Sequence, residues 1–490
     1  MAPARTRKLS RSELGGLAAR GITVPTYDLD AVSVGHVHIG PGVFHRAHQA
    51  VHAERLLNAG HRHAAIAAIS LRSAALRDAL AGQDLLYMFV EQDADECAPA
   101  LIGALREVLV AEEDPLAAIE RLADPAVTVV TTTVTEAGYC FTPIDRQLDM
   151  ANAGVLHDVA DPDRSTTMPG LVAAALARRR ERGITPFAVV PCDNIQGNGE
   201  LAKTVVSQLA AARDPRLGEW IAGEVPFCST MVDRIVPGTR DADRRLVAEL
   251  TGVEDAWPVM TEPFSQWVVE LQPGADLSVW ADAGVQLVGD VGDYERLKLQ
   301  VLNATHSALA YLGMLNGHAT IGAAIADPGI DAFIERLLEN EIIPAVVPPV
   351  GVDVSAYSAT TLTRFANPAL EFSVAKVAGD GSLKLTQRFL PTVEVLLAGR
   401  RPIDGTATVF AAWMWCLLGP TSTDLAVIDP LSASLRHVVA GNRGEPLKIV
   451  DQVLRDAGVF GPPGRDERFV EAVARRAEQV WADPRGALAS

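Results

Sequence analysis

Residues 34–48, Val-Gly-His-Val-His-Ile-Gly-Pro-Gly-Val-Phe-His-Arg-Ala-His, limit the possible folds more than any other stretch of this chain. Val34 to Ile39 reads as a strand, Gly40-Pro41-Gly42 as a turn, and a helical pattern then runs on through Glu54, Leu56 and Leu57. Strand, glycine turn and helix in that order aim backbone N–H groups at a pyrophosphate. Only two fingerprint glycines, Gly40 and Gly42, are present, so the turn also suits an ordinary tight connection. Three further strands are expected, at 64–71, 126–135 and 187–191. The β-branched run 126–135 has the length and composition of a buried parallel strand. It ends in Glu136-Ala-Gly138-Tyr139, and the strand at 187–191 ends in Cys192-Asp193-Asn194. Ligands of open α/β sheets bind at such carboxyl ends. Asn194 is therefore a candidate site residue, although Asn is equally a good turn former.

At the end of the second strand, a fold that binds NAD usually places an acid for the ribose hydroxyls. Arg72 and Ser73 stand there instead. Arg72 serves either the 2′-phosphate of NADP, a helix end or solvent. The expected cofactor is NAD, with NADP possible.

From about Asp293 the pattern turns mostly helical, with turn-rich interruptions at 344–351 and 379–381. The expected fold is α/β: a Rossmann-type NAD(P)-binding domain over 1–290, then a mostly α-helical substrate and catalytic domain over 291–490, with the active site in the cleft between them. A chain of 490 residues is too long for one core, and 48% hydrophobic with 21% charged residues marks it as globular. Its formal charge of -18 argues against nucleic acid or anionic membrane as a partner. Five scattered cysteines suggest a reducing compartment and no structural zinc. No apolar run approaches the roughly 18 residues of a membrane span. A soluble cytoplasmic protein is expected, as a monomer or small homo-oligomer.

The second domain opens on Tyr294-Glu-Arg-Leu-Lys298-Leu-Gln-Val-Leu-Asn303-Ala-Thr-His306-Ser, which reads as a buried helix. At about 100° per residue, His306 falls about 80° and Asn303 about 140° from Lys298. Leu302, Thr305, Leu309 and Leu312 lie within about 40° of the lysine, which places it on the apolar face. Gln300, Ser307 and Tyr311 mark the opposite face, where a solvated lysine had room. An inward lysine either snorkels its ammonium to water or, desolvated, becomes a general base. With an asparagine to donate to an oxyanion and a histidine for a hydroxyl, the second role fits an alcohol carbon losing hydride.

Gly40-x-Gly42-x-Phe44-His45-Arg46-Ala47-His48, Gln83-Asp84-x-x-Tyr87, Thr135-Glu136-x-Gly138-Tyr139, Cys192-Asp193-Asn194, Met231-Val-Asp233-Arg234, Glu262-Pro-Phe-x-Gln-Trp267 and Lys298-x(4)-Asn303-x(2)-His306-Ser307 are spread over nearly the whole chain. In order and spacing the set resembles the polyol-specific long-chain dehydrogenases. The resemblance implies that Lys298 is the general base, that Asn194 and Asn303 hold the substrate oxygen, and that His306 meets substrate hydroxyls. It implies that Glu295 relays the proton, and that Asp233, Lys376 and Lys384 contact substrate. Phe44, Arg46, Thr135 and Glu136 then join Gly40, Gly42 and Arg72 as cofactor-binding residues, with no metal. Lys376 departs from the arginine of mannitol dehydrogenases, and the segment Asp380 to Arg388 also resembles the fructuronate reductase branch.

The leading expectation is an NAD(P)-dependent enzyme interconverting a sugar alcohol and its 2-ketose, mannitol first. A hexuronate reductase acting on a sugar acid such as fructuronate or tagaturonate is the alternative. A non-catalytic nucleotide-binding sensor is the alternative of another class.

Overall fold

A computed structural model describes residues 7–489 apart from 95, 370–371, 419–428, 430–445 and 457. The chain divides into two compact units, Met1–Gly292 and Asp293–Ser490.

The first unit is built on a five-stranded parallel sheet of β1 (Val34–Ile39), β2 (Ala65–Ser70), β3 (Leu105–Val110), β4 (Val129–Thr132) and β5 (Ala188–Pro191). Their spatial order is β3-β2-β1-β4-β5, the order of a doubly wound nucleotide-binding sheet. Side chains of a strand alternate between faces, and here both faces are covered. Val37, Ile39, Ala67, Ile69 and Val130 pack with Leu171, Val172, Leu201 and Val205 from helices on one side. Ile66, Ala68, Val129 and Val190 pack with Ala50, Ala53 and Leu57 on the other.

Two further strands, Thr230–Asp233 and Gln266–Glu270, pair antiparallel. The hairpin of Tyr87–Gln92 with Cys97–Ile102 has no counterpart in the sequence reading, and neither does β3. Cys97-Ala-Pro-Ala-Leu-Ile carries little β propensity, and its Pro is tolerated at an edge.

Among the described residues, the regular elements of the second unit are all helices. Asp404–Leu418 packs along Glu467–Ala482. Phe410 lies between them, with Phe469 at 5.1 Å, Phe460 at 5.8 Å and Phe389 at 6.4 Å between ring centroids. The interruption expected at 379–381 is a sharp break: Val374–Ala378 ends, Asp380 takes a left-handed φ of 55°, and Gly381–Arg388 begins. Among the described residues no helix is long and apolar enough to cross a membrane.

Candidate active site

Residues 292–315 form one continuous helix, but its middle is not α-helical. Gly292–Leu297 is α-helix, Lys298–Asn303 is a π turn, and Ala304–Leu315 returns to α-helix, named α1 below. A π turn closes hydrogen bonds between residues five apart. It thus draws Lys298 and Asn303, about 140° apart on an ideal α-helix, towards one side. The angles calculated at 100° per residue do not apply across this segment. The opposite face is not solvated either: Gln300 is 7% exposed, and Ser307 and Tyr311 are fully buried. From Lys298 onward most of the helix is buried on every side, so burial alone does not set Lys298 apart.

Lys298 and Glu295 are each 8% exposed and Asn303 is 7% exposed. The Asn303 side-chain Nδ2 is buried and has no hydrogen-bond partner among the described residues. Leaving a buried donor unmade costs about 1–3 kcal/mol. Such a donor marks a place where a ligand oxygen would complete the bonding. His306 is half-buried, stacked on Phe365 at 4.8 Å and meeting Phe372 edge-on at 5.9 Å. Two phenylalanines thus fix its ring plane.

The helix Gly381–Arg388 packs against the π turn. Its Arg388 Nη1 donates to the Asn303 carbonyl at 3.1 Å and to Ser307 Oγ at 2.7 Å. Lys384, one turn earlier, donates to the Val377 carbonyl at 3.1 Å, and burial lowers its pKa. Lys376 is exposed, on the short helix Val374–Ala378.

In the first unit, Gly40 has φ +90°, and a Cβ there would stand 2.3 Å from the Thr133 carbonyl oxygen. Only glycine fits so close an approach. Gly42 begins the short helix Val43–Ala47 with no side-chain cap, leaving its first N–H groups to a ligand or water. The turn therefore fits a dinucleotide pyrophosphate. Phe44 is half-buried and stacks on His48 at 5.0 Å.

Arg46 departs from expectation. It is 1% exposed, donates to the Trp257 carbonyl at 2.5 Å, and lies over the rings of Tyr87 and Trp257. Its guanidinium is enclosed by protein, so the side chain holds the fold together and does not face a phosphate.

Arg72 and Ser73 are exposed just beyond β2. Arg72 makes no side-chain hydrogen bond or ion pair among the described residues, and Ser73 Oγ accepts from Ala75 N at 3.2 Å.

Thr135 and Glu136 are also exposed, past the end of β4. Thr135 has a left-handed φ of 62°, and its N–H donates to Asp193 Oδ1 at 2.7 Å. Asp193 also accepts from Tyr139 OH at 2.8 Å, and burial raises its pKa. Its backbone oxygen accepts from Asn198 Nδ2 at 3.0 Å, and Asn198 is itself bonded to Thr230. Asn194 is thus exposed on a turn clamped on both sides. Asp233 ends its strand, 4% exposed, and the adjacent Arg234 donates to the Ala47 and Glu262 carbonyls at 2.9 Å.

The sequence reading missed the role of Asp193, and it missed a shell of histidines. His36, His38, His45, His48 and His52 are all at most 2% exposed. His38 bonds Thr131 Oγ1 at 2.7 Å and Thr133 Oγ1 at 2.9 Å, and His45 lies flat on it at 3.5 Å. His52 Nδ1 donates to the Ala283 carbonyl at 2.9 Å. Burial pushes the pKa of His36 and of His52 down to about 3. The spacing was the available signal: two apart on a strand, then three and four apart on a helix.

A doubly wound nucleotide-binding unit joined to a helical unit bearing a buried Lys and Asn defines an oxidoreductase of the polyol dehydrogenase class. The chain belongs to the mannitol dehydrogenase family: the Rossmann-domain model of that family matches residues 34–279, and its C-terminal-domain model matches residues 290–481. The chain is 40% identical over 465 residues to the uncharacterized oxidoreductase YeiQ of Escherichia coli K12, covering 94% of each. It is 34% identical to mannitol 2-dehydrogenase of Pyricularia oryzae, covering 96% of this chain and 95% of that one. Among solved structures, the ternary complex of Pseudomonas fluorescens mannitol 2-dehydrogenase with NAD and D-mannitol superposes with a TM-score of 0.85. It is 33% identical and covers 98% of this chain and 99% of that one.

Proposed function

We propose that the protein is an NAD-dependent dehydrogenase interconverting a sugar alcohol, D-mannitol first, with its 2-ketose. Alcohol oxidation removes a proton from oxygen and a hydride from carbon. Lys298, in its neutral form, takes the hydroxyl proton, and Glu295, about one turn earlier on the same helix, passes it towards solvent. Asn303 Nδ2 donates to the oxygen as negative charge grows on it, and Asn194 is assigned the same task. His306, Asp233, Lys384 and Lys376 are the proposed partners for the remaining hydroxyls. NAD, held at the Gly40–Gly42 turn with Arg72, Thr135 and Glu136 around it, supplies the hydride acceptor.

The observation that carries this reading is the buried, unpartnered Nδ2 of Asn303 on the same π turn as Lys298. The reading is tested by following nicotinamide absorbance over a panel of polyols and hexuronates with NAD and NADP. Mannitol with NAD is expected to give the highest kcat/KM. A hexuronate giving a higher value would reverse the ranking in favour of a sugar-acid reductase. One observation supports that second reading: Lys384 and Arg388 stand one turn apart, and neither is ion-paired among the described residues.

A further inference from the structure

We propose that Arg388 is a positioning residue that locks the π turn so that the Asn303 side chain faces the reacting oxygen. The inference rests on the polyol dehydrogenase reading above and adds a residue to it.

A π turn interrupts the regular α-helical ladder, and such turns occur mostly as isolated bulges inside α-helices. Something outside the backbone has to favour this one. Arg388 is placed to do so, because its Nη1 bridges the carbonyl of the last π residue, Asn303, and the hydroxyl of Ser307, four residues on in α1. One guanidinium therefore spans the junction at which the helix changes register.

The arginine is partly buried and has no carboxylate paired with it among the described residues. Burial lowers its pKa to about 10, with Tyr311 opposing the shift, so it stays charged at neutral pH. A buried cation is tolerated when its N–H groups find good acceptors, and these acceptors belong to the π turn and α1. Hydrogen bonds from a charged donor are about twice as strong as neutral ones. The Asn303 backbone is thereby tied down on the side of Arg388, while its own Nδ2 has no partner. An amide held at the backbone and open at the side chain is prepared for a ligand oxygen.

The test compares wild type, Arg388→Met, Arg388→Lys, Asn303→Ala and the Arg388→Met/Asn303→Ala double variant. Steady-state mannitol oxidation is measured together with backbone hydrogen exchange over residues 298–307. Arg388→Met is expected to lower kcat by about 10- to 100-fold with KM nearly unchanged, since a misplacement near 1 Å costs about that much. Exchange should rise over the π turn. Arg388→Lys, with one compact charge in place of a fork, should recover part of the loss. The double variant should be no slower than Asn303→Ala alone, because the arginine acts through the asparagine.

Unchanged kcat in Arg388→Met, losses that multiply in the double variant, or a raised KM at normal kcat would each overturn the positioning role. Should Arg388→Met fail to fold, the neutral Arg388→Gln decides: wild-type exchange and kcat in it would overturn the proposal. A wild type inactive on every polyol and hexuronate would instead sink the parent reading, and this inference with it.

Discussion

The glycine turn of the first unit and the π turn of the second both bury polar side chains, but they do so differently. Around the glycine turn, five histidines at 0–2% exposure are packed among Thr131, Thr133, Trp267, Trp280 and backbone carbonyls. Bonding is incomplete here too, since His36 Nδ1 and His52 Nε2 have no partner among the described residues, and His45 is stacked on His38. At the π turn, Lys298, Glu295 and Asn303 keep 7–8% exposure, and the asparagine amide lacks an acceptor. A polar group sealed completely belongs to the scaffold. One left slightly open with its bonding incomplete is prepared for a ligand.

The largest expected effect sharpens that contrast. Lys298→Ala should lower turnover by about 10²–10⁴-fold while leaving NADH binding, followed by fluorescence, unchanged. Retention of more than about a tenth of the activity, with the same pH dependence, would remove the lysine from the role of base.

Next is Asn303→Ala, expected to reduce kcat by about 10²–10³-fold with little change in KM. A large KM rise at normal kcat would make it a plain binding residue.

The histidine shell should respond to acid and not to substrate. Burial holds the folded pKa values of His36, His38, His45 and His52 below the unfolded value of about 6.5, so their contribution is complete above that pH. It is lost as pH falls from about 6.5 towards about 3 for His36 and His52. Glu54, raised by burial to about 7, has the opposite sign and offsets about one histidine between its unfolded and folded values. His52→Gln should therefore gain on wild type by about 1.4 kcal/mol for each pH unit below 6.5, measured by denaturant unfolding. A constant difference between the two proteins from pH 7 to 5 would show that His52 is not held neutral.

The smallest effect is expected at the exposed edge of the glycine-turn region. Ser73→Asp keeps an acceptor for Ala75 N–H and adds a charge beside Arg72, so it should shift selectivity towards NAD by about fivefold, or ~1 kcal/mol. Unchanged or improved NADP activity would place residue 73 away from the ribose.

The strands at 34–39, 129–132 and 188–191 were legible because glycine turns and β-branched runs are local signals. The hairpin Tyr87–Gln92 with Cys97–Ile102 was not, because its second strand is specified by its partner and not by its own propensity. In the site, the set Lys298, Asn303 and His306 was legible as inward-facing. Its geometry was not, since the π turn depends partly on contacts from 388, distant in sequence. Arg46 was assigned to the cofactor by the resemblance alone, and tertiary packing places Tyr87, Trp257 and Asp255 around it.

The wide turn at Lys298–Asn303 also gives the helix two reading frames. Before it and after it the surface follows 3.6 residues per turn, but the second stretch is out of step with the first, like a screw cut with one extra fraction of a thread. Rewinding the turn as α-helix at unchanged length would restore a uniform thread and swing His306, Ser307 and everything beyond them by about 100° around the axis. The sequence would be the same, yet Phe365 would lose its stacking partner and Arg388 its two acceptors. In this chain, the width of the turn between Lys298 and His306 is therefore a structural specification as strict as the identity of either residue.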